Sequence, residues 1–310
     1  MPALSASAPG KSILFGEHAV VYGFPAIAVP VKAIQVKATF QPNIGSQTSV
    51  ICLMEKGKKN EFTLTDLKQD NLFKSVISQF QKGIQYPIPP FYLTITSTIP
   101  IAAGLGSSAA VSVAVIRGLS QFVGKKMNSD QVNEIAFQSE IIQHGTPSGI
   151  DNSVITYEKS VFFQKNKPME FLDLHKELFL VLADSDERSL TKDVLDFVRE
   201  AMKDNPKNSN RIFQAIGKIS LDAKDALITG NYYSIGNLMI ENHHCLKNMG
   251  VSSLKLDQLV QTAMDAGAFG AKLCGAGKGG FMVALCERSK QKYIAEQLRL
   301  FSSNVIETRL

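Results

Sequence analysis

The chain is poor in cysteine, and its thiols are not spaced for joint work. Cys52, Cys245, Cys274 and Cys286 are the four cysteines in 310 residues, and none form a CxxC pair. That argues against a disulfide framework or a thiol redox motif. No secretory leader pattern opens the sequence, so a reduced, cytoplasmic protein with free thiols is expected. No apolar run reaches the roughly 18 residues that a membrane-spanning helix needs. Dense basic blocks are also missing. The nearest, Lys56-Gly57-Lys58-Lys59, reads as a solvated loop. With 33 Lys and Arg against 28 Asp and Glu, the net charge is only +5, which suits a small anionic ligand as well as a nucleic acid. An RNA-binding protein would call for a Lys/Arg stripe interleaved with aromatic platforms, and none is visible. Hydrophobic residues at 45% and charged residues at 20% exclude a disordered chain. A length of 310 residues exceeds one ordinary core, so two domains are expected.

What the sequence does contain centres on residues 100–110, PIAAGLGSSAA. Gly104 and Gly106 flank Leu105, and Ser107 and Ser108 open an apolar run of small side chains that reads as a buried helix. A glycine loop opening a helix leaves backbone N–H groups at the positive end of the helix dipole, which makes an anion site. A serine hydroxyl there can also hold Mg2+. The same stretch can equally be a tight turn with an N-capping serine before a core helix. A strand at residues 92–97, with alternating Leu93, Ile95 and Thr94, Thr96, leads into the loop.

Near the start, Gly10-Lys11-Ser12 imitates a P-loop, but too few residues precede it for the required strand. A turn at Pro9-Gly10, a short strand at residues 13–15 and a turn at Gly16 are expected instead. Lys11, Glu17 and His18 are polar residues in an otherwise apolar, glycine-punctuated stretch. Strands are expected at residues 26–41, 49–54 and 61–64, and a helix at 72–81. Ser129 is the expected N-cap of a helix over residues 131–143, which carries Glu134 and Glu140. The segment HGTPSGIDN, residues 144–152, forces a sharp backbone excursion and leaves Asp151 at a loop-to-element boundary, where catalytic groups are often presented.

The character changes from about Phe179, which divides the chain into residues 1–178 and 179–310. A buried strand at 178–183 ends at Asp184, and a helix is expected over 194–202. KDNPKNSN, residues 203–210, reads as a polar linker. Helices follow at 212–227, 232–245 and 253–265. Two strands then flank a second glycine turn, GAGKGG at 275–280, before a helix at 291–301 and a last strand at 303–307. The second half is expected to be an antiparallel sheet with helices on one face, an α+β arrangement. His243 and His244 are adjacent on a helix, so they point apart and are poorly placed to chelate one metal together.

Three segments in this order resemble the GHMP kinase family: PGKxxLxGEHAVVYG at residues 9–23, PxxAGLGSSAA at 100–110 and KLxGAGxGG at 272–280. The resemblance runs over nearly the whole chain. It implies a two-domain α+β fold with a ribosomal-protein-like N-terminal domain and a ferredoxin-like C-terminal domain. It further implies ATP-dependent phosphoryl transfer to a small alcohol. The segments GEHAVVYG and HGTPSGIDN point to mevalonate as acceptor, giving 5-phosphomevalonate for isoprenoid biosynthesis. Phosphomevalonate or another small alcohol stays open.

Site roles follow from the same resemblance. Pro100, Ile101, Ala102, Ala103, Gly104, Leu105, Gly106, Ser107 and Ser108 would bind the ATP phosphates, with Gly275 and Gly277 closing from the other side. Ser108 and Glu140 would hold Mg2+. Asp151 would take the acceptor proton beside Lys11. Glu17, His18, Ser148 and Thr191 would line the acceptor pocket. Neither a nucleic acid nor a membrane is implied as partner, and a homodimer stays open. Two departures stand out. Lys278 replaces a glycine of the usual GAGGGG, either adding a cation near the phosphates or pointing into solvent. Residues 184–191, DSDERSLT, depart from DTGxxxST while keeping Thr191. A dinucleotide-dependent oxidoreductase would need an acidic residue at a strand end about 20 residues beyond the loop, and Gln121–Lys126 follows there instead.

Overall fold

Two long strands begin the chain in the structure, a computed structural model that describes residues 3–55, 58–100, 103–144 and 147–310. β1 runs Leu4–Phe15 without a break, so the turn expected at Pro9-Gly10 is absent. Both residues are buried in an extended strand, and Gly10 does not use the positive φ that a glycine turn would exploit. The chain does turn at Gly16, where φ is 94° and an added Cβ would lie 2.5 Å from the Ala26 Cα. β2, Ala26–Pro42, pairs with β1 and follows the expected alternation. Two compact units are assembled from the chain. One comprises Met1–Gly10, Ile34–Pro100 and Gly106–Glu158; the other comprises Lys11–Ala33, Ile101–Leu105 and Lys159–Leu310.

In the first unit, β3 (Val50–Glu55) and β4 (Lys58–Thr63) pair antiparallel, and Lys56 and Gly57 lie outside the described residues. Helix α1, Leu72–Ile84, is capped by Asn71, whose side chain accepts from the Phe73 N–H. β5, Phe91–Ser97, lies parallel to β3 and antiparallel to β2, giving the order β4-β3-β5-β2. The chain then enters α2, Ser107–Phe122, most of which is buried. Gly118 on α2 makes room for the sheet: a Cβ there would fall 2.7 Å from the Phe40 ring. Phe40 meets Phe91 edge-on at 5.2 Å and Phe122 at 5.8 Å, which closes this core. α3 spans Ser129–His144 and α4 spans Ile150–Tyr157. The cap of α3 is Asn128 rather than Ser129. Its Oδ1 accepts from the Gln131 N–H at 2.9 Å while Gln131 Oε1 accepts from the Asn128 N–H at 3.0 Å, a reciprocal box that a serine one position later could not close.

The second unit contains the end of β1 and then a 3-10 helix, Ala19–Tyr22. β6 (Ser160–Phe163) pairs with the first residues of β2, and β7 (Glu170–Leu172) with β6. After β8 (Phe179–Asp184) come α5 (Thr191–Asp204) and α6 (Pro206–Thr229). The polar linker expected at residues 203–210 is therefore mostly helix. Asn205 caps α6 by accepting from the Asn208 N–H at 3.2 Å, and Pro206 occupies the first turn, where its missing N–H costs nothing. α7 (Tyr232–Asn248) and α8 (Leu254–Asp265) precede β9 (Gly270–Cys274) and β10 (Phe281–Cys286); α9 (Gln291–Arg299) and β11 (Val305–Arg309) complete the chain. These strands form an antiparallel sheet, order β11-β8-β10-β9, as the second-half pattern implied. Leu246, Leu256, Leu259, Ala271, Leu273 and Met282 lie in one apolar core between helices and sheet. The architecture is mixed α+β, and among the described residues no helix is long and apolar enough to cross a membrane.

Close packing of α7 on β9 depends on paired glycines. A Cβ on Gly236 would sit 2.2 Å from the Phe269 carbonyl oxygen. Gly236→Ala is expected to lower unfolding stability by about 1–3 kcal/mol through overpacking. Urea denaturation measures this as a lower midpoint at constant m-value; an unchanged midpoint would contradict that packing.

Candidate active site

The glycine loop delivers α2 with its first turn uncapped by any side chain. Gly104 and Gly106 adopt φ of 73° and 74°, and Gly106 is the N-cap residue. No serine caps the helix, so the N-capping alternative is not realised. The first turn also lacks an acidic side chain. Its amides and dipole therefore face the loop without a built-in counter-charge. Ser107 and Ser108 are half-buried in that turn. Ile101 and Ala102 lie outside the described residues, whereas Pro100 is described and half-buried.

In the same unit, Glu140 is a buried carboxylate on α3, which packs against α2. Asp151 falls in the first turn of α4, half-buried. The turn before it uses Gly149 at φ 79°, and exposed Ser148 accepts from the Ile150 N–H at 3.3 Å. Gly145 and Thr146 of the segment lie outside the described residues. Asn152 Nδ2 donates to Asn133 Oδ1 at 2.7 Å, tying α4 to α3 beside Asp151.

The second unit brings Lys11, Glu17, His18, residues 103–105 and the 275–280 loop together. Lys11 is buried, and its backbone N–H donates to the Leu105 carbonyl at 3.0 Å. A Cβ on Gly104 would come within 3.8 Å of the Gly275 Cα, and one on Gly280 within 3.7 Å of the Ala103 oxygen. The alternation along β9 turns Ala271 and Leu273 into the apolar core and Lys272 to the other face. There Lys272, fully buried, pairs with Glu17 Oε1 and donates to the Leu273 carbonyl at 2.6 Å. Asn242 donates to the other Glu17 oxygen at 3.3 Å. Both carboxylate oxygens of Glu17 are thus engaged inside the protein. Sequence reasoning did not assign Lys272 or Asn242; a lysine inside the apolar run Ala271–Cys274 was the available signal.

His18 follows, held at φ 61°. Its Nε2 lies 2.7 Å from the Ala276 carbonyl, which can only accept, so Nε2 carries the proton. Nδ1 is then a bare acceptor, buried and without a partner among the described residues. Burial lowers the His18 pKa, opposed by the Ala276 bond and reinforced by the charge of Lys272, so the ring is neutral at pH 7.

The remaining predicted residues are spread around these loops. Thr191 is exposed at the start of α5. Gly277 is buried and its carbonyl accepts from Ser189 Oγ at 2.8 Å. Upstream, Arg188 forks onto buried Asp184 with bonds of 2.7 and 2.8 Å, which explains how the altered 184–191 segment is stabilised. The Nζ of Lys278 lies over the Phe197 ring, 3.2 Å from the centroid.

Comparison with known proteins identifies the family. The family model described as GHMP kinases N terminal domain matches residues 71–159, and that described as GHMP kinases C terminal matches residues 223–303. A mevalonate kinase from Pyrococcus furiosus is 34% identical over 324 residues, covering 98% of this chain and 95% of that protein. The crystal structure of the Methanococcus jannaschii mevalonate kinase superposes with a TM-score of 0.86 at 28% identity, covering 100% of this chain and 98% of that one. The structure of L. major mevalonate kinase in complex with R-mevalonate gives a TM-score of 0.83 at 26% identity, covering 99% and 95%. The chain belongs to the GHMP kinases, enzymes that use ATP. Within that family, the relatives it matches over nearly its whole length are mevalonate kinases.

A second histidine near Glu17 makes a pH prediction. His243 Nδ1 accepts from the Leu273 N–H at 3.3 Å, and Nε2 lies 3.3 Å from Asp257 Oδ1. Protonation at Nδ1 would break the backbone bond. Burial pushes this pKa down from 6.5 to about 4, against the pull of Asp257. Between those values the unfolded chain takes up a proton that the folded ring refuses. His243 therefore stabilises the fold fully above pH 6.5, and that contribution falls as the pH drops toward 4, by roughly 2–4 kcal/mol in all. Denaturation at pH values from 4 to 7 is expected to show this slope, and His243→Asn is expected to lose that part of it.

Proposed function

We propose that the chain transfers the terminal phosphoryl group of ATP to the primary hydroxyl of mevalonate, giving 5-phosphomevalonate. The observation that carries the reading is the meeting, in one unit, of Lys11, residues 103–105 and the 275–280 loop, where the second of these runs directly into an uncapped helix. Full-length likeness to mevalonate kinases supports the choice of acceptor. Residues 1–178 are assigned as the N-terminal domain and 179–310 as the C-terminal domain.

Pro100 to Ser108 take the ATP phosphates on backbone amides, joined by Gly275 and Gly277. Phosphoryl transfer passes through a loose transition state, so positioning and charge neutralisation carry most of the catalysis. Lys11 supplies a cation for the moving phosphoryl group, and Asp151 accepts the proton of the attacking hydroxyl. His18 offers Nδ1 to an O–H of the acceptor, satisfying an otherwise orphaned buried atom. Glu17 serves the acceptor pocket by fixing the segment that bears His18, while Ser148 and Thr191 contribute hydroxyls.

The donors present fit Mg2+. Glu140 is a buried carboxylate and Ser108 a hydroxyl on the neighbouring helix, while no cluster of three or more His, Cys, Asp or Glu stands ready among the described residues. That set suits an ion that takes one or two protein oxygens and completes its shell with phosphates and water. Bound there, Mg2+ would neutralise phosphate charge.

A coupled assay with purified protein, ATP and a panel of mevalonate, phosphomevalonate and other small alcohols tests the acceptor. Turnover is expected with mevalonate and only with Mg2+ present; turnover confined to another alcohol would replace the proposed substrate. Separately, Asp151→Asn and Lys11→Met are each expected to lower kcat by at least ~10²-fold, the scale of general acid–base and electrostatic effects, with the melting temperature preserved. Near-normal turnover in either variant would remove that residue from the chemistry.

A further inference from the structure

The loop between β9 and β10 carries a lysine where its family often has a glycine, and the structure gives that lysine a specific partner. Lys278 sits at φ 51°, a left-handed conformation that a lysine adopts at a cost glycine does not bear. Its backbone N–H donates to the Val251 carbonyl at 2.6 Å. Its ammonium lies on the face of Phe197, an α5 residue, at 3.2 Å from the ring centroid. Gly250 packs close to the same ring, where a Cβ would approach Phe197 Cζ to 3.2 Å. The loop is tied on its other side to the altered 185–189 segment. The Gly280 N–H donates to the Glu187 carbonyl at 3.0 Å, and the Ser185 N–H donates to the Gly280 carbonyl at 2.8 Å. Gly275, Gly277, Gly279 and Gly280 all have positive φ and no side chain with which to hold the loop. Lys278 is the loop's one long side chain, and it is committed to the ring.

We propose that Lys278 and Phe197 are positioning residues that clamp the 275–280 loop in the shape that receives ATP, with the lysine acting through the ring and not by touching a phosphate. The proposal rests on the reading that this loop helps to hold the nucleotide. Both departures from the family pattern then belong to one device: the 185–189 segment anchors one side of the loop, and the lysine pins the other.

The test compares Lys278→Met, Phe197→Leu and the double variant in the full chain. KM for ATP, KM for mevalonate, kcat and amide hydrogen exchange of residues 275–280 are measured, with melting temperature as a check on folding. Each single variant is expected to raise the ATP KM about three- to tenfold, the scale of a cation–π contact. The KM for mevalonate should stay within about twofold, loop exchange should accelerate, and the double variant should be no worse than the worse single one, because both remove the same contact. A rise in ATP KM for Lys278→Met but not for Phe197→Leu would overturn the proposal in favour of direct phosphate contact. Additive effects, or unchanged loop exchange in both single variants, would overturn it as well. Should the unsubstituted protein show no kinase activity, the functional reading fails alone, and the exchange rates still decide whether the contact holds the loop.

Discussion

A single ion pair without water around it organises the second unit. Lys272 and Glu17 are almost wholly buried, 255 positions apart in sequence, and paired with each other. Two such charges are costly to remove from water, and removing one partner from a buried pair typically costs about 3–5 kcal/mol because the other is left uncompensated. Asn242 and the Leu273 carbonyl occupy further hydrogen-bonding capacity, so the pair is held in one arrangement. The consequence is geometric. The segment after β1 is fixed against β9, His18 is aimed at the Ala276 carbonyl, and the loop after β9 is placed relative to residues 103–105. A hydrophobic pair could supply comparable stability there, but it would not specify a register as narrowly.

Backbone, more than side chain, shapes the loops proposed to take the phosphates. Gly104, Gly106, Gly149, Gly275 and Gly277 share positive φ, a backbone conformation that side-chain-bearing residues adopt only at a cost. Amide groups presented this way bind phosphate with no ionisable partner and little reorganisation. The side chains proposed for the chemistry stand on regular elements: Lys11 on a strand, Asp151 in the first turn of a short helix, Glu140 buried on α3. A group in the first turn of an element is held more rigidly than one at a loop tip, which suits the proposed role of Asp151 in a reaction governed by positioning.

The chain's local patterns carried most of the fold. Alternation at residues 26–41 and 92–97 became β2 and β5, and the small-residue run after Gly106 became α2. Failures came where a strong local signal competed with packing. Pro9-Gly10 reads as a turn, yet both residues fit an extended strand once it is buried. Residues 203–210 read as a linker because they are polar, yet an asparagine cap and a proline in the first turn start a helix there. Composition describes a segment's exposure, and exposed helices are polar too.

The residue types proposed for the site stood out in the sequence because phosphate binding and proton transfer need glycine amides, a lysine and a carboxylate in recognisable strings. The sequence by itself therefore determined the family and the α+β class, and it named the segments proposed to meet a nucleotide. Only tertiary structure decided what each polar group faces. It committed Glu17 to Lys272, left His18 Nδ1 as a bare acceptor, and set Lys278 over Phe197. The reason is that spacing along a chain records local conformation, whereas the partner of a buried charge comes from a strand or helix dozens to hundreds of residues away, chosen by which faces pack together.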